Sequence, residues 1–397
     1  MSITMPVFFS FNLSITTIAL LAVAVAAALT YIVWQATRSA RLRRFISQDQ
    51  AQRHYAETPP PISVIVDACG ETDQLARFLP LVLSQEYDAE FEVIVIVNSA
   101  AEATSDMLSE MKAEHPNLHF TFAPYSTRTL SRKKLAIMIG IKAAQYDIVL
   151  TTNATCRPAG NQWLATIGRN FVDGTDIVLG YSHYEYDLDH HAGRRMRIFD
   201  SVATATQWTL SAIRNKPNRG TSDNLAYRKQ LFFDNNGFAE SMNLIWGEDD
   251  VFISQIANAY NTRLELAPES QLSVHYENLP RTHRLLKMRR DFTSRFIRRA
   301  PFRTQALMSL LWWLAPICLL AAIALNPTNL AVIAIAAAVI LFIWSLASWA
   351  FNGAFTTLQA PRLWFTAPLL ALWRPLLDIV YHLRESRQTK SHYTSYL

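Results

Sequence analysis

Three consecutive carboxylates are the clearest candidates for chemistry in this sequence. Glu248, Asp249 and Asp250 follow Gly247 and precede an apolar segment that resembles the start of a helix. A carboxylate on a loop can take a proton from a hydroxyl group as a general base. Carboxylates in this position can also cap the following helix by accepting hydrogen bonds from its free N–H groups. The spacing alone leaves both interpretations open.

A basic segment later in the chain could bind an anion. Residues 281–299 are amphipathic, and their cations include Arg284, Lys287, Arg289, Arg290, Arg295, Arg298 and Arg299. Arginine binds phosphate oxygens through paired hydrogen bonds, so the segment fits a phosphorylated ligand. Attraction to anionic lipid headgroups explains the same charges without a specific site. The same two kinds of interpretation, phosphate contacts or a solvated helix start, apply to the triplet Arg132, Lys133 and Lys134.

The elements that must position these residues alternate between strands and helices. Continuous apolar runs predict strands at 62–66, 92–97 and 147–150, and helical spacing occurs at 75–85, 104–114 and 133–145. This alternation predicts an α/β domain with a mostly parallel sheet covered by helices on both faces. Sites in such sheets lie at the carboxyl ends of the strands, which here are residues 67–71, 98–102 and 152–157.

Apolar runs of membrane length lie at both ends of the chain. Residues 15–34 are nearly all apolar, and arginines follow from Arg38 onward. This charge order predicts an uncleaved anchor whose following chain lies in the cytosol. Residues 304–361 contain no charged residue or histidine, and the turn 326–329 divides them into a hairpin.

These patterns divide the chain into five segments. We predict an anchor at 1–37, a basic linker at 38–60, a cytosolic α/β domain at 61–300 and a transmembrane hairpin at 301–350. Charged residues are not expected inside a simple span, yet Arg374 and Asp378 lie within the last segment, 351–397. We therefore predict an interfacial or membrane helix there, followed by a cytosolic tail.

The composition excludes several classes of protein. Hydrophobic residues make up 50% of the 397 residues and charged residues only 17%, which excludes a disordered chain and a wholly soluble one. The net charge of +5 allows nucleic acid, anionic lipid or phosphorylated substrates as partners. We exclude nucleic acid because it does not explain the membrane-length segments. The histidines show no spacing typical of a zinc site.

Residues 62–296 resemble a family-2 glycosyltransferase of the membrane-anchored bacterial type, with a GT-A fold. The resemblance rests on the order of the motifs. A lysine-rich helix from Lys133 precedes Asn153-Ala154-Thr155-Cys156-Arg157-Pro158, where the family has Asp-x-Asp-Cys-x-Pro. The segment 224–233, the acid triplet and a basic helix then follow. Lys287 and Asp291 depart from the family's Gln-x-x-Arg-Trp motif, whereas Arg290 fits it.

The resemblance implies a role for each candidate residue. Asp249 would be the catalytic base, with Asp250 as the alternative and Glu248 beside them. The implied donor-binding residues are Glu71, Asn98, Glu102, Lys133, Asn153, Thr155 and Arg290. Asn153 and Thr155 replace the acids that hold Mg²⁺ or Mn²⁺ in the family, so a metal there would bind weakly.

Two functions follow from this resemblance. The first is an inverting transferase of the inner, cytoplasmic membrane, which moves sugar from a nucleotide-sugar donor to a lipid-linked or membrane-proximal acceptor. It would serve the assembly of cell-surface polysaccharide or glycolipid, with membrane lipids and other envelope-assembly proteins as partners. The second is a catalytically impaired scaffold subunit of such a complex. The replaced acids favour the scaffold, and the retained acid triplet and basic helix favour the transferase.

Overall fold

The computed structural model describes residues 13–68, 71–98, 101–124, 131–242, 244–297 and 300–386. Its helices are α1 Ile15–Arg44, α2 Thr72–Leu83, α3 Glu102–Glu114, α4 Arg132–Ala143, α5 Trp163–Gly168, α6 Arg194–Ile213, α7 Lys229–Asp234, α8 Asp250–Ile256, α9 Leu279–Thr293, α10 Ala300–Leu325, α11 Leu330–Thr357 and α12 Ala367–Ser386. Its strands are β1 Ile62–Asp67, β2 Phe91–Asn98, β3 Leu118–Ala123, β4 Ile148–Asn153, β5 Cys156–Pro158, β6 Ile177–Leu179, β7 Ser182–Tyr184, β8 Leu225–Arg228, β9 Thr262–Leu264 and β10 Leu272–Val274.

A seven-stranded sheet forms the centre of the α/β part, in the order β3-β2-β1-β4-β8-β6-β9. Strands β1 to β4 pair in parallel, and β8 runs antiparallel to both β4 and β6. Every residue of β1 is buried, as expected for a strand covered on both faces. The predicted α/β class with a mostly parallel sheet is therefore confirmed.

The carboxyl ends of β1 and β4 meet at one edge of this sheet. Asp67 lies opposite Asn153 in the parallel register, and the N–H of Ala154 donates to the carbonyl of Asp67 at 3.0 Å. A small sheet, β5-β10-β7, follows directly after this edge. The last residues of β4 and the first of β5 are therefore held by two sheets at once, which fixes the segment 153–158.

The chain divides into two compact units. One comprises Phe45–Ala192, Gln207–Arg298 and Tyr381–Leu397, and it contains both sheets. The other comprises Met1–Arg44, Gly193–Thr206 and Arg299–Val380, and it contains the long apolar helices. The tail from residue 387 onward and the cations Arg298 and Arg299 lie outside the described residues.

Three of the described helices are long and apolar enough to cross a membrane. They cover Ile15–Asp49, Arg303–Leu325 and Leu330–Thr357. The predicted turn at 326–329 separates the last two, and Asn329 caps α11 by accepting from the N–H of Ala331 at 3.0 Å. Aromatic rings join these helices, since Tyr31 stacks on Trp312 with ring centroids 4.8 Å apart.

Candidate active site

Gly247 allows the sharp entry into the acid loop, which we define as Glu248, Asp249 and Asp250. Its φ of 105° lies in the left-handed region that glycine adopts without strain. A Cβ at this position would lie 2.7 Å from Cγ2 of Val251, so a side chain would also clash. All three carboxylates of the loop are buried, with at most 6% of any residue exposed. Buried carboxylates require compensating partners.

Asp249 caps helix α8 and also faces a cation. Its Oδ1 accepts from the backbone N–H of Asp250 at 2.6 Å, which is the capping contact. Its Oδ2 accepts from the N–H of Ser222 at 3.2 Å and lies 2.6 Å from Nη2 of Arg289. Because the two oxygens have separate partners, capping does not exclude a chemical role for this carboxylate.

Cations from three different elements surround the acid loop. Nη2 of Arg289 on α9 also lies 2.9 Å from Oε1 of Glu248, and Nζ of Lys133 on α4 lies 3.8 Å from the same oxygen. Arg219 Nη2 lies 3.1 Å from Oδ2 of Asp250. Three carboxylates thus meet three cations. The Oε2 atom of Glu248 is buried and accepts no hydrogen bond within the described part of the chain.

The cations keep Asp249 ionised. Burial alone would raise the pKa of Asp249, but Arg289 and Lys133 outweigh it and hold the pKa well below its usual range. Burial lowers the pKa of Lys133, yet Glu248 and then Asp223 outweigh that effect and raise it. The ammonium group of Lys133 is therefore close enough to interact with both the acid loop and Asp223.

Asp250 has the opposite electrostatic balance. Burial raises its pKa to about 6; Arg219 opposes this shift, and the neighbouring Asp249 carboxylate adds to it. Thr293 donates to Oδ2 of Asp250 at 2.6 Å, which fixes that carboxylate against α9. The two adjacent aspartates thus differ in their readiness to bind a proton.

The raised pKa of Asp250 predicts a pH dependence of stability. The folded protein binds this proton more tightly than the unfolded chain, so stability should rise as the pH falls from about 6 to about 4. Asp250→Asn should remove this rise, on the order of 2 kcal/mol. Thermal unfolding across this pH range measures it, with Asp176→Asn in the half-exposed pair with Arg228 as control. Equal pH profiles for both variants would contradict the assignment.

Lys134 fastens the segment that leads into the acid loop. Its side chain is completely buried, and its Nζ donates to the carbonyls of Ser241, Leu244 and Trp246. Burial lowers its pKa to about 8. This lysine is therefore not part of a solvated helix start. The residues that supply these carbonyls lie more than a hundred positions after Lys134 in the sequence, so no local pattern predicts the contacts.

Lys134→Met is expected to destabilise the protein by roughly 2–3 kcal/mol, because three buried carbonyls lose a charged donor. The segment 241–246 should also become more sensitive to protease. Thermal unfolding and limited proteolysis test this, with Lys142→Met at an exposed position of the same helix as the matched control. If the two variants unfold at the same temperature, Lys134 does not fasten this segment.

Asp223 is a further candidate site residue, which no sequence motif indicated. It follows Ser222 and accepts hydrogen bonds from the amide of Asn153 and, at 3.2 Å, from the hydroxyl of Ser182. The hydroxyl of Thr221 donates at 3.1 Å to Oδ2 of Asp223, the oxygen that also accepts from Ser182. A carboxylate therefore does lie beside Asn153, but it comes from a segment 70 residues away.

Thr155 lies next to a histidine–glutamate pair. The backbone N–H of His275 donates to the carbonyl of Thr155 at 2.9 Å. The ring Nδ1 of His275 lies 2.8 Å from Oε2 of Glu185. Sequence reasoning did not select either residue, because β7 and β10 meet only in the folded sheet.

The other candidate donor residues lie at strand ends and helix starts. Glu71 directly precedes α2; burial and the nearby Glu277 raise its pKa, and His275 opposes the shift. Asn98 is buried at the end of β2. Glu102 is exposed at the first position of α3. The structure thus places these three on the edge of the sheet that the strand pattern indicated.

The basic helix presents a different arginine from the one selected. Arg289 contacts the acid loop, whereas Arg290 is half-buried and lies near Arg219. Burial lowers the pKa of Arg219, Asp250 opposes that shift, and the positive charge of Arg290 adds to it. Asp291, in place of the family's aromatic residue, lies 3.0 Å from Nδ1 of His382. Lys287 is buried with its Nζ 5.7 Å from the ring centroid of Tyr381.

The residues around Asn153 do not make a dedicated site for Mg²⁺ or Mn²⁺. Such sites use several carboxylate oxygens, whereas Asn153 and Thr155 are neutral. Both oxygens of Asp223 already accept hydrogen bonds. Across the described ranges, no group of three or more histidine, cysteine, aspartate or glutamate side chains could hold a metal ion. We therefore assign no step of the reaction to a bound metal.

The architecture of the sheets and helices is that of a GT-A-like fold. The chain covers 98% of the mannosyltransferase PcManGT from Pyrobaculum calidifontis, solved in complex with GDP-Man and Mn²⁺. This match covers 91% of the present chain, with a TM-score of 0.51 and 18% sequence identity. It supports the fold alone. GalNAc-T7 with UDP, GalNAc and Mn²⁺ matches at a TM-score of 0.40 and 12% identity over 56% of this chain and 45% of its own.

The chain belongs to glycosyl transferase family 21, whose family model matches residues 18–385. This membership places the chain among the glycosyltransferases. The sequence resemblance was to family 2, and that finer assignment is not confirmed. The glycosyltransferase AglE of Haloferax volcanii is 24% identical over 148 residues, which are 36% of this chain. The chain spans about half the length of that relative, 47%.

Proposed function

We propose that this glycosyltransferase transfers a sugar from a nucleotide-sugar donor to an acceptor hydroxyl with inversion at the anomeric carbon. The observation that carries the proposal is the buried contact of Arg289 with both Glu248 and Asp249, at 2.9 and 2.6 Å. This contact places an ionised carboxylate beside cations. Sugar transfer needs both, a base for the acceptor proton and positive charge for the leaving diphosphate.

Asp249 is the proposed base. The acceptor hydroxyl gives its proton to the Asp249 carboxylate while its oxygen forms a bond to the anomeric carbon. The bond between that carbon and the diphosphate breaks, and the diphosphate leaves with the electron pair. A single displacement of this kind inverts the anomeric carbon. Glu248 has a buried Oε2 that can accept a hydrogen bond from a substrate hydroxyl, and Asp250 is the alternative base.

The donor would bind along the edge formed by the ends of β1, β2 and β4. Lys133, Arg289 and Arg290 would meet the diphosphate, because arginine and lysine complement phosphate oxygens. The remaining proposed donor contacts are Glu71, Asn98, Glu102, Asn153 and Thr155. PcManGT was solved with GDP-Man, and a nucleotide diphosphate is accordingly the first ligand to test.

The acceptor is proposed to be lipid-linked or held close to a membrane. The apolar helices that precede and follow the α/β part support this, because they would keep the site near a bilayer. The arginines after the first apolar run support an inner-membrane location with the α/β part in the cytosol. Assembly of cell-surface polysaccharide or glycolipid, alongside other envelope proteins, is the proposed setting.

Isothermal titration of the detergent-purified protein with UDP and GDP, each with and without Mn²⁺, tests the donor site. Binding without metal would support neutralisation of the diphosphate by Lys133 and Arg289. Binding that requires Mn²⁺ would instead show that a metal ion contributes to neutralising the diphosphate. Absence of binding to either nucleotide, in protein that unfolds cooperatively, would overturn the UDP- or GDP-sugar proposal and favour a scaffold role.

A further inference from the structure

A cavity lies among the apolar helices, in the compact unit that lacks the sheets. Its volume is about 260 Å³, and its walls come from the last turns of α1, the end of α11 and the segment that leads to Trp364. We call it the arginine cavity, after the two cations that line it, Arg43 and Arg362. Trp349 and Trp364 line it as well. None of these residues takes part in the proposed sugar transfer.

The charge of the arginine cavity favours an anionic occupant. No aspartate or glutamate lies among its lining residues. The sequence has none before Asp49 and none between Arg303 and Asp378, so the apolar helices that carry the cavity supply no counter-charge. The interactions described for Arg362 are with neutral groups, the hydroxyl of Thr356 and the ring of Trp364. Two such guanidinium groups complement the oxygens of a phosphate.

The walls of the cavity are held in place by buried hydrogen bonds. Asn352 is buried, and its Oδ1 accepts from the N–H groups of Leu363 and Trp364 at 3.0 and 3.1 Å. Trp364 has a φ of 40°, in the left-handed region that a bulky residue adopts only when its surroundings enforce it. The Asn352 side chain provides that enforcement and sets the position of the tryptophan at the cavity.

The opposite wall is equally well defined. The hydroxyl of Ser39 donates to the carbonyl of Ala350 at 2.8 Å, which joins α1 to α11. Gly353 permits this close approach, because a Cβ there would lie 3.2 Å from Cβ of Ser39. The arginine cavity is therefore a built feature of the helix packing rather than a chance gap between mobile side chains.

We propose that the arginine cavity binds the phosphate of a membrane-lipid headgroup. The cavity lies where the apolar helices end in arginines and tryptophans, the residue types found at the level of lipid headgroups. Its volume is near the lower end of ligand cavities, roughly 300 Å³, so it fits a headgroup and leaves the chains outside. The phosphate could belong to an anionic phospholipid or to an isoprenyl phosphate.

Native mass spectrometry of the full-length protein tests this proposal. The protein is mixed in detergent with phosphatidylglycerol, an isoprenyl monophosphate or diacylglycerol, the last of which lacks phosphate. Wild type should retain at least one of the two phosphate lipids and not diacylglycerol. The double variant Arg43→Gln/Arg362→Gln should bind the retained phosphate lipid at least about tenfold more weakly than wild type does. Preference for one phosphate lipid over the other identifies the source of the phosphate.

Arg41→Gln is the matched control, because Arg41 is an exposed arginine of the same helix that does not line the cavity. It should retain the lipid as wild type does. Equal weakening by Arg41→Gln, or equal retention of diacylglycerol, would show diffuse attraction and overturn the proposal. Arg43 and Arg362 are exposed, so their replacement should leave folding intact. The assay contains no sugar donor, and its outcome is independent of the proposed transfer reaction.

Discussion

Replacement of Asp249 by asparagine is expected to lower kcat for sugar transfer about 10²- to 10⁴-fold, the usual contribution of a general base. Asparagine has nearly the same shape but cannot take the proton of the acceptor hydroxyl. It also caps helices about as well as aspartate, so the start of α8 should survive. This substitution therefore separates the catalytic interpretation of Asp249 from the capping interpretation, because only the first predicts a large loss of activity.

The measurement is release of UDP or GDP from whichever sugar donor the titration identifies, in the presence of acceptor. Nucleotide affinity of Asp249→Asn should stay close to wild type, whereas its unfolding temperature should fall, because Arg289 loses one of its two carboxylate partners. Asp250→Asn is the paired variant, since Asp250 is also buried but contacts Arg219 and Thr293. A greater loss of kcat in Asp250→Asn would move the base to Asp250. Near-normal kcat in both variants would refute a base in the acid loop.

The low pKa of Asp249 limits how the base can act. Arg289 holds this carboxylate ionised, so it is ready to accept a proton at any physiological pH. The same interaction makes it a weak base in the resting enzyme. Proton transfer must therefore accompany formation of the new bond, when the acceptor oxygen becomes more acidic. Movement of Arg289 towards the diphosphate would strengthen the base, since it would remove the nearest positive charge.

Much of the α/β fold could be predicted from the sequence because its signals are local. The β-branched runs at 62–66 and 92–97 lie within β1 and β2, and their continuous apolar character indicated a strand buried on both faces. The acid loop was recognisable because its three carboxylates are adjacent. The direction of β8 was not predictable, since a strand of four residues has no pattern that distinguishes parallel from antiparallel pairing.

The partners of the acid loop were beyond sequence reasoning for a different reason. Arg289 is one of several cations in the basic segment, and only the rotation of α9 decides that it, rather than Arg290, contacts Asp249. Asp223 reaches Asn153 across 70 residues, and Lys134 reaches Trp246 across 112. Such contacts depend on which strands and loops become neighbours. They leave no periodicity or motif in the chain.

Arg374, the charged residue inside the last helix, also has partners that are distant in the sequence, and its replacement is expected to change stability greatly. Arg374 lies in α12, where it argued against a simple membrane span. Its Nε lies 2.7 Å from Oδ1 of Asp200 on α6, and its Nη2 donates to the hydroxyl of Thr204 at 3.2 Å. Asp200 is completely buried and Arg374 is 8% exposed. All three residues belong to the unit that contains the apolar helices.

Arg374→Met is expected to destabilise this unit by about 3–5 kcal/mol, because it breaks the buried ion pair between Arg374 and the Asp200 carboxylate. Arg384→Met, at an exposed position of the same helix, should change stability by less than about 0.5 kcal/mol. Unfolding in mixed micelles of increasing denaturing detergent, followed by tryptophan fluorescence, compares them.

The double variant Asp200→Leu/Arg374→Met distinguishes a lost ion pair from lost packing. If the cost of Arg374→Met comes from the broken ion pair with Asp200, removal of the Asp200 charge as well should restore most of the stability, since apolar pairs often replace buried ion pairs at little cost. If the double variant is instead less stable than Arg374→Met, the shape of the two side chains matters more than their charge. Wild-type stability in Arg374→Met alone would show that Asp200 does not depend on this arginine.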